Sequence, residues 1–403
     1  MREIILLNVT GKDHPGLTAA LTSTLAHHGA NILDIGQAVI HDHLALGMLL
    51  DVPPASQTGP MLKDLLFQAH QRGLHIDFTP IALEDYEHWV NDQGKPRYIV
   101  TLLGRTLSAH HLSRVAAVIS HHGLNIDAIT RLSGRLPLDG DGARQRVCVE
   151  FSVRGEAAEP AVLRRALLEI TRDEEMDLAF QEDNLFRRNR RLIVFDMDST
   201  LIQVEVIDQL AEAWGVGPKV AAITEAAMRG ELDFKESFRR RLALLKGLEV
   251  GVLERIAANL PITEGAERLI STMKKLGYRV GILSGGFTYF AEHLQRQLGL
   301  DCISANELDI DDGRLTGQVK GEIVDGARKA ELMREMAQKL GIGLEQVIAV
   351  GDGANDLPML ELAGLGVAFH AKPLVRATAR HAISTLGLDS ILYLLGVRDR
   401  EIG

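Results

Sequence analysis

Two aspartates one residue apart, Asp196 and Asp198, stand in the run Asp196-Met197-Asp198-Ser199-Thr200, directly after the apolar stretch LIVF (192–195). Two carboxylates at a strand end can face one pocket, where one attacks phosphorus and the other moves protons. An aspartyl-phosphate would split one hard displacement into two easier ones. Taken alone, an acidic pair of this kind also fits a surface turn. Three more groups follow in order. Ser284-Gly285-Gly286 comes after RVGIL (279–283), and a hydroxyl with nearby backbone N–H groups suits phosphate oxygens, though it also fits a plain glycine turn. Lys329 lies in DGARKAEL, a helix start, where an ammonium could offset phosphate charge or simply be solvated. GDGANDLPML (351–360) follows VIAV (347–350) and brings Asp352, Asn355 and Asp356 into a glycine-rich turn. Grouped hard oxygens suit Mg²⁺, and an EF-hand is excluded because no glutamate stands at the twelfth loop position.

The elements that must hold these residues are short. LIVF, RVGIL and VIAV are apolar without alternation, as expected of parallel strands buried on both faces. Helical patterns such as GAERLISTMKKLG and ARKAELMREMAQKLG lie between them. The expected fold class is α/β, a doubly wound Rossmann-like parallel sheet, with the chemistry at the C-terminal ends of its strands.

Four pieces in this order, each after a strand or opening a helix, resemble the haloacid dehalogenase superfamily over about 190–395. The resemblance implies Asp196 as nucleophile and Asp198 as general acid/base. It implies Mg²⁺ held by Asp196, the backbone carbonyl of Asp198, and Asp352, with Asp356 supporting the metal loop. Ser284, Gly285 and Lys329 would bind the phosphate, and Asn355, also on the substrate-binding side, would support the metal loop with Asp356.

Between the first two motifs, about 203–262, VEVIDQLAEAWG, PKVAAITEAAMRG and DFKESFRRRLALLKG read as a small helical cap that excludes water. Glu205, Met228, Phe234 and Arg241 in this insertion resemble the substrate set of the phosphoserine phosphatase family. Read through that resemblance, Glu205 meets an ammonium, Arg241 a carboxylate through its bidentate fork, and Met228 and Phe234 line the closed lid. Composition alone would make them surface charges and cap core. Which arginine of Arg239-Arg240-Arg241 points inward is open. The implied reaction is hydrolysis of O-phospho-L-serine, the last step of serine biosynthesis. Competing readings are another small phosphomonoester, a phosphotransferase, or an amino-acid-sensing regulatory protein with a vestigial phosphatase.

The N-terminal half contains a repeat: HHGANILDI (27–35) recurs as HHGLNIDAI (121–129). Each copy follows a strand-like run, EIILLNVTG (3–11) or RYIVTLLG (97–104), and a helical one, LTAALTSTLAHHG (17–29) or HLSRVAAVISHHG (111–123). The later runs NILDIGQAVI, HLALGMLLDV, NIDAITRLS and RQRVCVEFSV (144–153), with the helix MLKDLLFQAHQRG (61–73), complete a β-α-β-β-α-β order, a ferredoxin-like unit. Two such units are expected at 1–90 and 95–185, joined by a linker NDQGKP (91–96). They resemble ACT domains through the strand, then Asp13-His14-Pro15-Gly16, then Asn31 and Asp34. The resemblance implies an amino-acid site at Gly16, Asn31 and, in the second unit, Gly104, and a homodimer as the assembly; joined to an enzyme that releases an amino acid, it suggests L-serine or a related amino acid as effector. Turn chemistry alone explains the same residues, and a purely dimerising role stays open. The second unit departs from the pattern, with Gly104-Arg105-Thr106-Leu107-Ser108 and no Pro-Gly. RRNRR (187–191) reads as a solvated linker edge.

The 403 residues carry a net charge of −10, which gives no electrostatic footprint for nucleic acid or an anionic membrane. Two cysteines, Cys148 and Cys302, make no disulfide framework. The apolar run near the start is too short for a signal peptide, and no uncharged stretch could span a bilayer. A cytoplasmic protein is expected.

Overall fold

The computed structural model describes residues 3–53, 58–135, 146–156, 159–171 and 175–402. The chain separates into two compact units, 1–95 and 96–403.

In the first unit, β1 (Glu3–Lys12), β2 (Asn31–Ile40), β3 (His43–Val52) and β4 (His75–Ile81) form an antiparallel sheet in the order β2-β3-β1-β4, with α1 (Leu17–His27) and α2 (Thr58–Gln71) on one face. Leu7, Val9, Leu46, Met48 and Leu50 bury against Leu21, Leu25, Met61 and Leu65. The alternation along β1 and β3 places one face inward, as a half-buried sheet requires. The expected linker 91–96 begins inside a helix, α3 (Leu83–Asp92), whose amphipathic pattern the sequence reading passed over.

The second unit opens with the same order of elements. β5 (Arg97–Gly104), β6 (Asn125–Arg131), β7 (Val147–Arg154) and β8 (Met176–Glu182) form the sheet β6-β7-β5-β8, packed against α4 (Ala109–His121) and α5 (Pro160–Ile170). The expected strand 144–153 starts at Val147, its first two residues lying outside the described ones. Ser108 caps α4 by accepting from His111 N at 3.2 Å. This sheet does not end its own core. Leu103, Leu132, Cys148 and Ala179 pack in the same apolar cluster as Ile193, Phe195 and Tyr393 of the following α/β layer.

That layer is a seven-stranded sheet. β9 (Leu192–Phe195), β10 (Arg279–Phe287), β11 (Cys302–Asp311), β12 (Arg314–Lys320), β13 (Val347–Gly351), β14 (Leu365–Phe369) and β15 (His381–Ile383) stand in the order β12-β11-β10-β9-β13-β14-β15. Six strands are parallel; β12 turns back antiparallel on β11, an edge that the apolar-run reading did not foresee. The cap has four helices, α6 (Val206–Ala213), α7 (Gly217–Met228), α8 (Phe234–Ala243) and α9 (Val250–Ala257). The chain then returns through α10 (Ala266–Lys275), α11 (Thr288–Leu298) and α12 (Gly326–Lys339).

RRNRR is a solvated edge only at Arg188 and Arg191. Arg187 is 1% exposed and Arg190 5% exposed. Arg187 pairs with the buried Glu150 of β7, and Arg190 donates to Arg187 O at 2.6 Å. A run of like charge normally stays in water; here the facing carboxylate draws one arginine into the seam between the second sheet and the α/β layer. Among the described residues, no helix is long and apolar enough to cross a membrane.

Candidate active site

β9 delivers Asp196 at its C-terminal end, where Asp196 N donates to Val350 O of β13 at 2.8 Å. The chain then turns sharply: Ser199 has φ 56, and Ile202 N bonds back to Met197 O at 3.1 Å. This turn aims both carboxylates at one place. Asp196 Oδ1 accepts from Met197 N at 2.7 Å and lies 2.9 Å from Lys329 Nζ. Asp198 Oδ1 accepts from Val206 N, at the start of α6, at 3.1 Å. Burial, then the charges of Glu205 and Asp196, push the Asp198 carboxyl well above the usual carboxylate range. A carboxyl raised in this way is suited to donating a proton.

Lys329, on the first turn of α12, is fully buried and bridges Asp196 to Asp356, 2.7 Å away. Burial pulls its ammonium down, but the two carboxylates outweigh that and leave it raised. The lysine is therefore part of the site and not a solvated helix charge.

The loop after β13 carries the remaining acids. Asp352 accepts from Thr200 Oγ1 at 3.2 Å, and Asp356 accepts from Gly353 N at 2.9 Å. Asp196, Asp352 and Asp356 bring carboxylate oxygens within 4.8 Å of one another. Burial, then Asp196 and Asp356, push Asp352 up to about 7. One buried ammonium faces three buried carboxylates, so the cluster lacks positive charge. An all-oxygen donor set of this kind fits a hard divalent cation. Asn355 is half-buried, and its backbone lies against Gly326, where a Cβ would come 2.7 Å from Asn355 O. That contact fastens the acidic loop to the start of α12.

Ser284 is fully buried within β10, where the register breaks after Leu283, its Oγ accepting from Gly286 N at 2.9 Å. A side chain at Gly286 would run into Asp198 Oδ2, so the glycine lets the serine loop lie against the acid pair. Asn306, which the sequence reading missed, locks this loop: Nδ2 donates to Gly285 O at 2.8 Å and to Gly286 O at 3.2 Å, while Oδ1 accepts from Val324 N at 2.9 Å. Nothing local marked it, because an asparagine within ANELDI becomes a loop anchor only when β10 and β11 are paired.

From the cap, Glu205 accepts from Ser199 Oγ at 2.9 Å, and burial raises its carboxyl. Arg241 is the inward arginine of its triplet: Arg239 and Arg240 are exposed, and Arg240 pairs with Glu236 at 2.7 Å. Burial lowers the Arg241 guanidinium, while Glu205, Asp208 and Asp198 act on it in the opposite direction. Its buried Nε has no hydrogen-bond partner among the described residues. Phe234 covers Gly285, where a Cβ would come 3.0 Å from its Cζ, and stacks on Phe238 with centroids 6.2 Å apart. Met228, expected beside Phe234 on the lid, is 65% exposed at the end of α7. The structure brings one of the two apolar lid residues onto the site and leaves the other outward. Asp208 and Lys372 are further charges that the sequence reading missed. Lys372 N donates to Asp352 O at 3.3 Å, and its ammonium acts on Glu205 and Asp352.

The residues expected to bind an amino acid in the repeats have separate surroundings. Gly16 caps α1 at φ 93, and Asn31 donates to Asp51 Oδ2 at 3.2 Å. Gly104 ends β5 between Glu175 O and Thr106 O, where a Cβ would come within 3.3 and 3.4 Å.

Comparison with known proteins agrees with this layout. Residues 190–364 match the haloacid dehalogenase-like hydrolase family, and residues 3–79 and 97–181 each match an ACT domain family. The phosphoserine phosphatase of Streptomyces coelicolor is 44% identical over 99% of this chain and 93% of its own length. Phosphoserine phosphatase SerB2 of Mycobacterium tuberculosis is 43% identical over 99% of this chain and 94% of its own. Among solved structures, a probable phosphoserine phosphatase from Vibrio cholerae aligns with a TM-score of 0.56 at 35% identity, over 74% of this chain and 86% of that one. A haloacid dehalogenase family hydrolase from Salmonella enterica aligns with a TM-score of 0.64 at 30% identity, over 74% of this chain and 98% of that one.

Proposed function

This chain belongs to the phosphoserine phosphatase family of haloacid dehalogenase-like hydrolases, and from that membership we propose that it hydrolyses O-phospho-L-serine to L-serine and phosphate. The observation that carries the reading is the pairing of Glu205 and Arg241 on the cap with the Asp196–Asp198–Lys329 cluster below it. A carboxylate and a guanidinium are the complement of an amino acid's ammonium and carboxylate.

In this reading Asp196 attacks phosphorus as the bond to the serine oxygen breaks. Asp198, kept protonated by burial and its acidic neighbours, gives its proton to the leaving alkoxide. The resulting Asp198 carboxylate then takes a proton from the water that hydrolyses the aspartyl-phosphate. Lys329, Ser284 and the Gly285 N–H hold the phosphate oxygens, and Asn355 and Asp356 steady the acidic loop. Phe234 shields the phosphate from water. Mg²⁺, held by Asp196, Asp352 and the Asp198 carbonyl, supplies when bound the positive charge that the acidic cluster lacks.

We read the boundaries as 1–90 and 95–185 for the ACT units and 190–395 for the phosphatase, with its cap at 203–262. A cytoplasmic homodimer with L-serine as effector at Gly16 and Asn31 completes the reading. Phosphate release from O-phospho-L-serine, with and without Mg²⁺, tests it. Mg²⁺-dependent release that falls by roughly 10⁴-fold or more in Asp196→Asn is expected. A folded wild type that releases none overturns the substrate assignment.

A further inference from the structure

The cap joins the core through two chain crossings that hold each other. Ile202 and Ile262 form an antiparallel bridge, Gln203 N donates to Pro261 O at 2.9 Å, and Thr263 N donates to Leu201 O at 3.0 Å. Closing a lid on such a joint means changing a few backbone angles at these residues. Glu264 comes next, and both of its ends are held. Its carbonyl accepts from Leu388 N at 2.8 Å, and its carboxylate pairs at 3.2 Å with Arg105, in the β5–α4 loop of the second ACT unit.

Arg105 also donates from Nε to Thr385 O at 3.1 Å. Beside it Asp177, on β8 and 1% exposed, accepts with one oxygen from Ser384 N at 2.8 Å, Thr385 N at 2.9 Å and Thr385 Oγ1 at 2.6 Å. The segment 384–388 therefore receives two side chains from the ACT unit and passes contacts onward in two directions. One is the bond from Leu388 to Glu264 at the hinge. The other is Leu386 O, which accepts from His370 Nε2 at 3.0 Å, two residues before Lys372 bonds the Asp352 carbonyl. Two glycines let these stretches of backbone close on each other. A Cβ at Gly387 would lie 2.6 Å from Glu264 O, and one at Gly265 would lie 2.7 Å from Asp389 N.

We propose that Arg105 and Asp177 are positioning residues of the phosphatase: through segment 384–388 and Glu264 they fix the cap hinge, so the second ACT unit sets how readily the cap closes. Where a closed state is only partly populated, apparent affinity falls by that fraction. A substrate gripped by Glu205 and Arg241 depends on closure. An aryl phosphate without an amino-acid end depends on it far less. The choice of substrates rests on the phosphoserine reading above.

The test uses full-length Arg105→Ala, Glu264→Gln and the double variant, assayed on O-phospho-L-serine and on p-nitrophenyl phosphate. The pair is half-exposed, so KM for phosphoserine is expected to rise about three- to fivefold in each single variant. kcat on phosphoserine and kcat/KM on the aryl phosphate should both stay within about twofold of wild type, and the double variant should match Arg105→Ala, which already removes the Glu264 contact, instead of multiplying the two effects. Equal losses on both substrates, an unchanged KM, or multiplying effects would overturn the proposal. Glu264→Gln keeps the size of the side chain and removes only the charge paired with Arg105, so it gives the answer if Arg105→Ala does not fold. A wild type active on the aryl phosphate and inert on phosphoserine would sink the substrate reading instead. Amide hydrogen exchange at 201–204 and 260–265 would then decide the hinge, faster in Glu264→Gln if the coupling holds and unchanged if it does not.

Discussion

At the β1–α1 turn of the first ACT unit, Gly16 stands at φ 93, and a side chain built there would meet no described residue within 4 Å. At the matching β5–α4 turn of the second unit, Gly104 is walled in by two backbone carbonyls, and the next residue, Arg105, is bonded to Thr385 and Glu264. The strand orders are the same, β2-β3-β1-β4 and β6-β7-β5-β8, so topology does not explain the difference. The change of the loop from Asp13-His14-Pro15-Gly16 to Arg105-Thr106-Leu107-Ser108 does. A long forked cation in this loop lets the second copy bond to Thr385 and Glu264. The same strand order carries an open turn in one copy and a structural joint in the other.

The largest effect that could break this contrast lies in the seam of the second unit. Arg187→Ala strands Glu150 without its buried partner and should cost about 3–5 kcal/mol, read as a lower urea midpoint. Arg187→Met combined with Glu150→Leu should recover most of that loss, because apolar groups need no partner. A mild effect of the single change would mean that the seam between the second ACT sheet and the α/β layer is held by its apolar contacts and not by this pair. Next in size, Asp177→Ala leaves three donors unsatisfied and should cost about 1–3 kcal/mol by the same measurement. The smallest effect sharpens the contrast from the other side. Gly16→Val forces a branched side chain into left-handed backbone at a cost of about 1–2 kcal/mol, and should remove any response of phosphate release to added L-serine. Gly104→Ala, tight yet free of positive φ, should keep that response. If the two variants behave the other way round, the sensing loop has been assigned to the wrong copy.

Much of the phosphatase site was legible because its residues sit where short apolar runs end. LIVF, RVGIL and VIAV each announce a buried parallel strand, and chemistry in such sheets gathers at strand ends. Asp352 could thus be grouped with Asp196 without coordinates, more than a hundred residues away, whereas Lys329, on a helix, joined them only through the resemblance of the whole set. Asn306 could not, since its role exists only after β10 and β11 pair. Arg187 and Arg190 were misread because local composition favours solvating a basic run, while the deciding partner, Glu150, lies on another strand. Met228 fitted a pattern of residue types, but its side chain points outward in this arrangement of the cap.

The core shared by Leu103, Leu132, Cys148 and Ala179 with Ile193 and Phe195 bears on what can be inherited or transplanted as a piece. A recombination event cutting near residue 190 would carry the whole catalytic sequence and still leave an uncovered apolar wall, prone to stick to other chains. A cut near residue 96 would move a closed body. For this chain the transferable cassette is set by the continuity of its interior, and it begins one module earlier than the motifs suggest.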